Sequence, residues 1–188
     1  SSEIIIALGG GSVVDSAKAI AYGLFNQDGD IWEYYLGERE VKGAFPLAVI
    51  LTLSATGSEM SASSVISNDD GPGYKRRLNS EWGRPKYAFL NPELTYSVSR
   101  YQTASGSADI MMHTLERFFH SGDGLVLTDD LSVALLKTVI SYTPVALSEP
   151  HDYEARANLM WAGSLSHNGL MNMGADSRGD WACHQMEH

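Results

Sequence analysis

The stretch EIIIALGGGSVVDSAKAIA, residues 3–21, predicts the fold of the first half of this chain. A short isoleucine-rich run, Glu3–Leu8, ends in three glycines and Ser12. Apolar residues then recur at spacings of three and four, the period of a helix; they are Val13, Val14, Ala17, Ile20 and Ala21. The stretch therefore predicts a strand, a glycine turn and a helix, as in α/β proteins built on a parallel sheet.

Two later apolar runs predict further strands of the same sheet. Phe45–Thr52 (FPLAVILT) is continuously apolar, as expected of a strand buried on both faces of a parallel sheet. Tyr87–Leu90 (YAFL) is closed by Asn91 and Pro92. We therefore expect an α/β region over residues 1–98, with a parallel sheet that is incomplete within this chain.

After about Ser99 the strand patterns stop and only helical patterns follow. They cover Ala108–Phe119, Thr128–Ser141 and Tyr153–Leu170, with breaks at Pro144 and Pro150. We expect an all-helical region over residues 99–188, also incomplete.

The composition excludes several classes of protein. A net charge of −10 and a pI near 4.9 argue against a surface for nucleic acid or an anionic membrane. No apolar run approaches the roughly 18 residues of a membrane span, and the first residues do not resemble a signal peptide. The single cysteine, Cys183, excludes a disulfide within the chain and is compatible with a reducing cytoplasm.

Two loops follow predicted strands and carry glycines and hydroxyls. The turn Gly9–Ser12 can present backbone N–H groups and a helix N-terminus to a phosphate, or it can be a tight turn with Ser12 as N-cap. It lacks the GxGxxG pattern. The loop Thr52–Glu59 can bond phosphate and ribose, or Thr56 and Glu59 can form a capping box for a following helix. Together the loops favour a nucleotide-type ligand.

A second pattern favours a metal. Asp109 and His113 are four residues apart in a helical stretch and lie on one face of it, and His184 and His188 repeat that spacing. Oxygen and nitrogen ligands of this kind suit zinc or ferrous iron. The alternative is that these are ordinary surface residues, which is the interpretation we give to His120, His151 and His167.

Six blocks, in this order, resemble the iron-containing (group III) alcohol dehydrogenases: GGGSVVDSAKAIA (9–21), LTLSATGSEMSASSVISND (51–69), LNPELTYSV (90–98), SADIMMHTLE (107–116), YEARANLMWA (153–162) and WACHQMEH (181–188). The most similar branch is that of the NADPH-dependent butanol dehydrogenases and broad-specificity aldehyde reductases. The resemblance implies a dinucleotide-binding α/β domain followed by a helical metal-binding domain.

The resemblance also implies roles for individual residues. The cofactor pyrophosphate would lie at Gly10, Gly11 and Ser12, and further cofactor contacts would come from Thr52, Thr56, Lys75 and Leu94. The metal ligands would be Asp109, His113 and His184, with His188 beside the site as a candidate proton relay. Ser61 departs from the pattern, because this branch usually has asparagine there.

The implied activity is hydride transfer between NADP(H), or NAD(H), and a small primary alcohol or aldehyde, in a cytoplasmic homodimer with Fe²⁺ or Zn²⁺. The resemblance implies a fourth metal ligand beyond His188. It also implies that the segment that recognises the adenosine ribose lies before residue 1. We therefore expect the 188 residues alone to be inactive and to bind metal poorly. Two alternatives are a dehydroquinate-synthase-like lyase, which uses a metal and NAD, and a non-catalytic fragment.

Overall fold

The computed structural model describes residues 3–69, 74–119, 124–175 and 181–187. The chain divides into two compact units. The first comprises Ser1–Leu51 and Ser58–Leu90, and the second comprises Thr52–Gly57 and Asn91–His188. The boundary drawn from the sequence between residues 98 and 99 stays a prediction.

A three-stranded parallel sheet forms the centre of the first unit. Its strands are β1 (Ile5–Gly9), β2 (Leu47–Leu51) and β5 (Tyr87–Phe89), in the order β1-β2-β5. Ile5 pairs with Leu47, and Ala48 in turn pairs with Tyr87. The central strand β2 is almost entirely buried, as its unbroken apolar sequence predicts. The three predicted strands and their parallel arrangement are confirmed.

The glycine turn leads directly into α1 (Gly11–Phe25). Gly10 is the N-cap and makes no side-chain cap, so the alternative in which Ser12 caps this helix is wrong. Ser12 lies within the first turn because the helix already begins at Gly11. A Cβ at Gly9 would lie 2.7 Å from the Cβ of Val13, so the close approach of strand to helix requires glycine there.

Two strands of the first unit were not predicted. A short 3₁₀ helix (Ser58–Met60) leads into β3 (Ser63–Ser67), which pairs antiparallel with β4 (Lys75–Asn79). The alternative of a capping box at Thr56 and Glu59 requires a helix to follow, but only this single 3₁₀ turn forms. A short helix α2 (Ile31–Tyr35) has the capping box instead, formed by Asp30 and Glu33.

The second unit is helical. Its long helices are α3 (Arg100–Phe118), α4 (Val126–Ser148) and α5 (Tyr153–His167), followed by α6 (Ala182–Glu187). The core shared by α3, α4 and α5 includes Ile110, Leu135, Val139, Ala146, Ala155, Leu159 and Ala162, together with Met171 from the 3₁₀ helix Leu170–Asn172.

The expected break at Pro144 does not occur. Pro144 lies inside α4, which continues to Ser148. Proline there removes one backbone hydrogen bond, but the helix resumes because buried Val139 and Ala146 on either side anchor it to the same core. The break at Pro150 is confirmed, since α5 begins only at Tyr153.

Helix α4 is long and apolar enough to meet a length-and-composition criterion for a membrane span. The expectation that no segment spans a membrane rested on the absence of long uninterrupted apolar runs. In α4, polar residues interrupt the apolar ones. Because core helices of soluble proteins have similar length and composition, these features of α4 are weak evidence for a membrane span. Leu135 and Val139 of α4 are buried in the core of the helical unit.

Candidate metal centre and cofactor loops

One face of α3 presents the first two predicted metal ligands. Ser99 begins the helix, with its hydroxyl accepting from the backbone N–H of Gln102 at 3.2 Å. From there the helical repeat places Asp109 and His113 one turn apart. His113 is 4% exposed, and its Nε2 lies 3.7 Å from Oδ1 of Asp109.

Helix α6 brings His184 to the same carboxylate. Its Nε2 lies 3.4 Å from Oδ1 of Asp109. The rings of His113 and His184 are stacked, with centroids 4.7 Å apart. One potential ligand atom from each of the three residues lies within 4.8 Å of the others. The structure therefore brings together Asp109, His113 and His184, whereas His188 lies outside the described residues.

The electrostatics of this cluster suit a cation. Burial is the main cause that lowers the pKa of His113 to about 4, so its imidazole is neutral at pH 7 and keeps a lone pair for bonding. The hydrogen bond with Asp109 is the largest cause raising the pKa of His184. Two imidazole nitrogens and one carboxylate oxygen converge here, and this donor set fits zinc or ferrous iron.

Residues that the sequence did not single out surround the cluster. Glu116, one turn beyond His113, is buried, and its Oε2 lies 3.1 Å from Nδ1 of His184. Trp181 contacts the rings of His113 and His184 at centroid distances of 6.1 and 5.3 Å. Its φ of 57° is unusual for a residue other than glycine. Its ring also lies 4.4 Å from the guanidinium carbon of Arg117.

The interpretation of His167 as an ordinary surface residue is wrong. Its ring centroid lies 4.4 Å from that of His113, in an edge-on contact. The helical pattern of α5 gave no signal of this, because the contact depends on how α5 packs against α3. His151 is exposed, as expected, and His120 lies outside the described residues.

The residues expected to bind the cofactor are divided between the two units. Gly10, Gly11 and Ser12 lie at the start of α1, and Lys75 is the exposed first residue of β4. In the second unit, Thr52 and Thr56 lie in the segment Thr52–Gly57, and Leu94 is 39% exposed in the 3₁₀ helix Pro92–Thr95. Their roles toward a cofactor stay predictions.

The segment Thr52–Gly57 is held by close packing within the helical unit. The hydroxyl of Ser54 donates to the carbonyl of Leu159 at 3.0 Å. Gly57 has a φ of +63°, and a Cβ there would lie 2.7 Å from the carbonyl oxygen of Gly163. A Cβ at Gly106 would lie 2.6 Å from the carbonyl oxygen of Ser54. A Cβ at Gly163 would lie 2.6 Å from the Oγ of Ser54, so Gly106 on α3 and Gly163 on α5 both make room for this segment.

A buried lysine organises the first unit beside the glycine turn. Lys18, on α1, is 0% exposed. Its ammonium donates to the carbonyls of Ser58, Ser61 and Ser63 at 2.7, 3.1 and 2.6 Å, and to the Ser58 hydroxyl at 2.8 Å. That hydroxyl donates to Asp15 at 2.5 Å. Lys18 thus fixes residues 58–63 against the helix that begins at the glycine turn.

Comparison with known proteins places these features in a family. Residues 1–92 match the family described as iron-containing alcohol dehydrogenase, and residues 103–188 match the C-terminal part of the same family. The chain is 45% identical over 186 residues to NADH-dependent butanol dehydrogenase A of Clostridium acetobutylicum, covering 99% of this chain and 47% of that protein. It is 38% identical to the NADPH-dependent aldehyde reductase YqhD of Escherichia coli, covering 98% and 47%.

A solved structure agrees with these matches. The crystal structure of NADH-dependent butanol dehydrogenase A from Thermotoga maritima superposes with a TM-score of 0.94 at 36% identity, covering 99% of this chain and 46% of that one. The chain thus spans about half the length of the curated relatives it matches. Both halves of the chain match one family in order, and the chain belongs to the iron-containing alcohol dehydrogenases.

Proposed function

We propose that the protein to which this chain belongs is a metal-dependent oxidoreductase that transfers a hydride between a nicotinamide cofactor and a small primary alcohol or aldehyde. The observation that carries the proposal is the convergence of Asp109, His113 and His184 within 4.8 Å. Membership of the iron-containing alcohol dehydrogenase family supports it.

In this proposal Asp109, His113 and His184 hold the divalent metal, Fe²⁺ or Zn²⁺. When bound, the metal supplies Lewis acidity that polarises an aldehyde carbonyl or lowers the pKa of an alcohol, and the nicotinamide gives or accepts the hydride. The neutral, buried imidazole of His113 can coordinate without first losing a proton. His188 is the proposed path for the alcohol proton to solvent.

The cofactor is proposed to lie on two sets of residues. The glycine turn, Gly10 to Ser12, offers backbone N–H groups at a helix N-terminus to the pyrophosphate. Lys75, Thr52, Thr56 and Leu94 supply the remaining contacts. Residues 1–98 would then be part of the cofactor-binding domain and residues 99–188 part of the metal-binding domain.

The choice of nicotinamide cofactor is a finer proposal. The resemblance of the sequence predicts a preference for NADP(H). The relatives differ in this respect: butanol dehydrogenase A of Clostridium acetobutylicum, at 45% identity, is NADH-dependent, and the aldehyde reductase YqhD, at 38%, is NADPH-dependent. Comparing kcat/KM for the two cofactors decides the point, and a strong preference for NAD(H) would refute the prediction. A cytoplasmic homodimer is proposed on the same resemblance.

The test is a steady-state assay of the full-length protein with straight-chain alcohols from ethanol to hexanol and their aldehydes. We expect turnover with at least one cofactor, loss of turnover after chelation, and recovery with Fe²⁺ or Zn²⁺. A full-length protein that binds one metal per subunit but reduces none of these aldehydes would refute the proposed substrate class. One that binds no metal would refute the proposed centre.

A further inference from the structure

We propose that Glu116 is a positioning residue for the metal centre, holding His184 so that Nε2, and not Nδ1, faces the metal. The inference rests on the proposed function, since it concerns the same site. It starts from the face of α3 that already carries Asp109 and His113. Glu116 continues that face one turn further along the helix and is only 8% exposed.

Glu116 faces His184 with both of its carboxylate oxygens. Oε1 accepts from the backbone N–H groups of Cys183 and His184, at 3.1 and 3.4 Å. Oε2 lies 3.1 Å from Nδ1 of the His184 imidazole. The carboxylate therefore contacts both the backbone and the ring of the same residue, and so limits its position and its rotation.

The two facing atoms are well suited to each other. Oε2 of Glu116 and Nδ1 of His184 are both buried, and neither makes a well-aligned hydrogen bond with any other group in the described part of the chain. A buried polar atom left without a partner costs free energy, which favours a hydrogen bond between these two atoms, 3.1 Å apart. With the proton of the imidazole on Nδ1 and donated to Glu116, the lone pair lies on Nε2.

That arrangement directs Nε2 toward the other ligands. Nε2 of His184 lies 3.4 Å from Oδ1 of Asp109, and Nε2 of His113 lies 3.7 Å from the same oxygen. A carboxylate behind a metal-binding histidine fixes the ring's tautomer and makes it a stronger ligand. Glu116 occupies this place for His184.

The decisive variant is Glu116→Gln. Glutamine keeps the length of the side chain, and its amide oxygen can still accept from the backbone of Cys183 and His184. Its NH₂ group then faces Nδ1 of His184, which favours the tautomer with the proton on Nε2. A purely structural role for Glu116 would survive this change, whereas the positioning role would not. Glu154→Gln, an exposed site on α5, is the matched control.

The experiment titrates metal-free, full-length protein with Zn²⁺ against a competing chelator, and records the visible spectrum with Co²⁺. For Glu116→Gln we expect about 10- to 100-fold weaker binding and an altered Co²⁺ spectrum, with the unfolding temperature of the metal-free protein unchanged. Glu154→Gln binds like the parent. Unchanged Zn²⁺ affinity and Co²⁺ spectrum in Glu116→Gln would overturn the positioning role while leaving the proposed function intact. Absence of Zn²⁺ binding in the parent protein would overturn both.

Discussion

Replacing Lys18 with methionine keeps an unbranched side chain, one atom shorter, but removes the ammonium group that bonds residues 58–63. Three backbone carbonyls, those of Ser58, Ser61 and Ser63, lose a donor at 2.6–3.1 Å. Asp15, whose pKa burial raises, loses its nearby positive charge. Lys18 is fully buried, and Ser58 and Ser61 are 3% and 2% exposed, so water reaches their carbonyls poorly.

The expected cost follows from that environment. Leaving a buried hydrogen-bonding group without its partner typically costs about 1–3 kcal/mol, and Lys18→Met does this to three carbonyls unless the segment relaxes. We expect Lys18→Met to lower the free energy of unfolding by about 3–5 kcal/mol, a large share of the roughly 5–15 kcal/mol typical of a protein. Local rearrangement of residues 58–63 would bring the value toward the lower end.

Urea unfolding of the full-length protein, followed by circular dichroism, measures this loss. Lys42→Met is the control, because Lys42 is 71% exposed and pairs with Asp28 at 2.9 Å on the surface. Exposed pairs of this kind contribute about 0–1 kcal/mol. A loss below about 1 kcal/mol in Lys18→Met, equal to that in Lys42→Met, would refute the view that Lys18 organises this segment.

Three further predictions concern the same two units. Burial lowers the pKa of Lys18 from 10.5 to about 8, so between pH 8 and pH 10.5 the unfolded chain binds one proton more than the folded chain. The free energy of unfolding of the parent, relative to that of Lys18→Met, should therefore rise from pH 8 to pH 10. A fall over this range would contradict the lowered pKa of Lys18. His113→Ala should leave the circular dichroism unchanged but abolish turnover and metal content, and retained activity with normal metal excludes His113 as a ligand. Gly57→Ala should lower the free energy of unfolding by about 2–5 kcal/mol, because φ is positive there and the new Cβ would lie 2.7 Å from the carbonyl oxygen of Gly163. Gly124→Ala, where φ is also positive but the space is open, should lower it by about 1–2 kcal/mol. Equal losses of the two variants in urea unfolding would show that the clash at Gly57 has no effect.

The sequence predicts the parallel sheet well because its signals are local. The isoleucine run before Gly9 and the apolar run before Thr52 are strands by composition alone, and the glycines between strand and helix are visible at once. Local sequence patterns do not predict the antiparallel pair of β3 and β4. Lys75–Asn79 is charged and mostly exposed, so it has no alternating apolar pattern, and its pairing depends on the segment that Lys18 holds.

The candidate metal centre likewise has one part that local spacing predicts and another that depends on tertiary packing. The spacing of Asp109 and His113 indicates a ligand pair because both lie within one turn of one helix. His184 has ligand-type spacing to His188, but its approach to Asp109 depends on tertiary packing, and only the family resemblance implies the set of three ligands. Glu116 has a local signal, since it follows His113 by three residues and therefore lies on the same face of α3.

Trp181 gives the candidate centre an optical reporter. Its indole packs against the rings of His113, His167 and His184, while Trp82 and Trp161 are 58% and 53% exposed. A ligand that reorders the imidazoles changes the surroundings of Trp181 first, so its fluorescence should respond to occupancy while the exposed indoles contribute a constant background. The fourth tryptophan, Trp32, is half-buried and stacks on Tyr35, so a variant with phenylalanine at positions 32, 82 and 161 would isolate that signal. Filling of the centre could then be followed by emission intensity, in real time and without turnover.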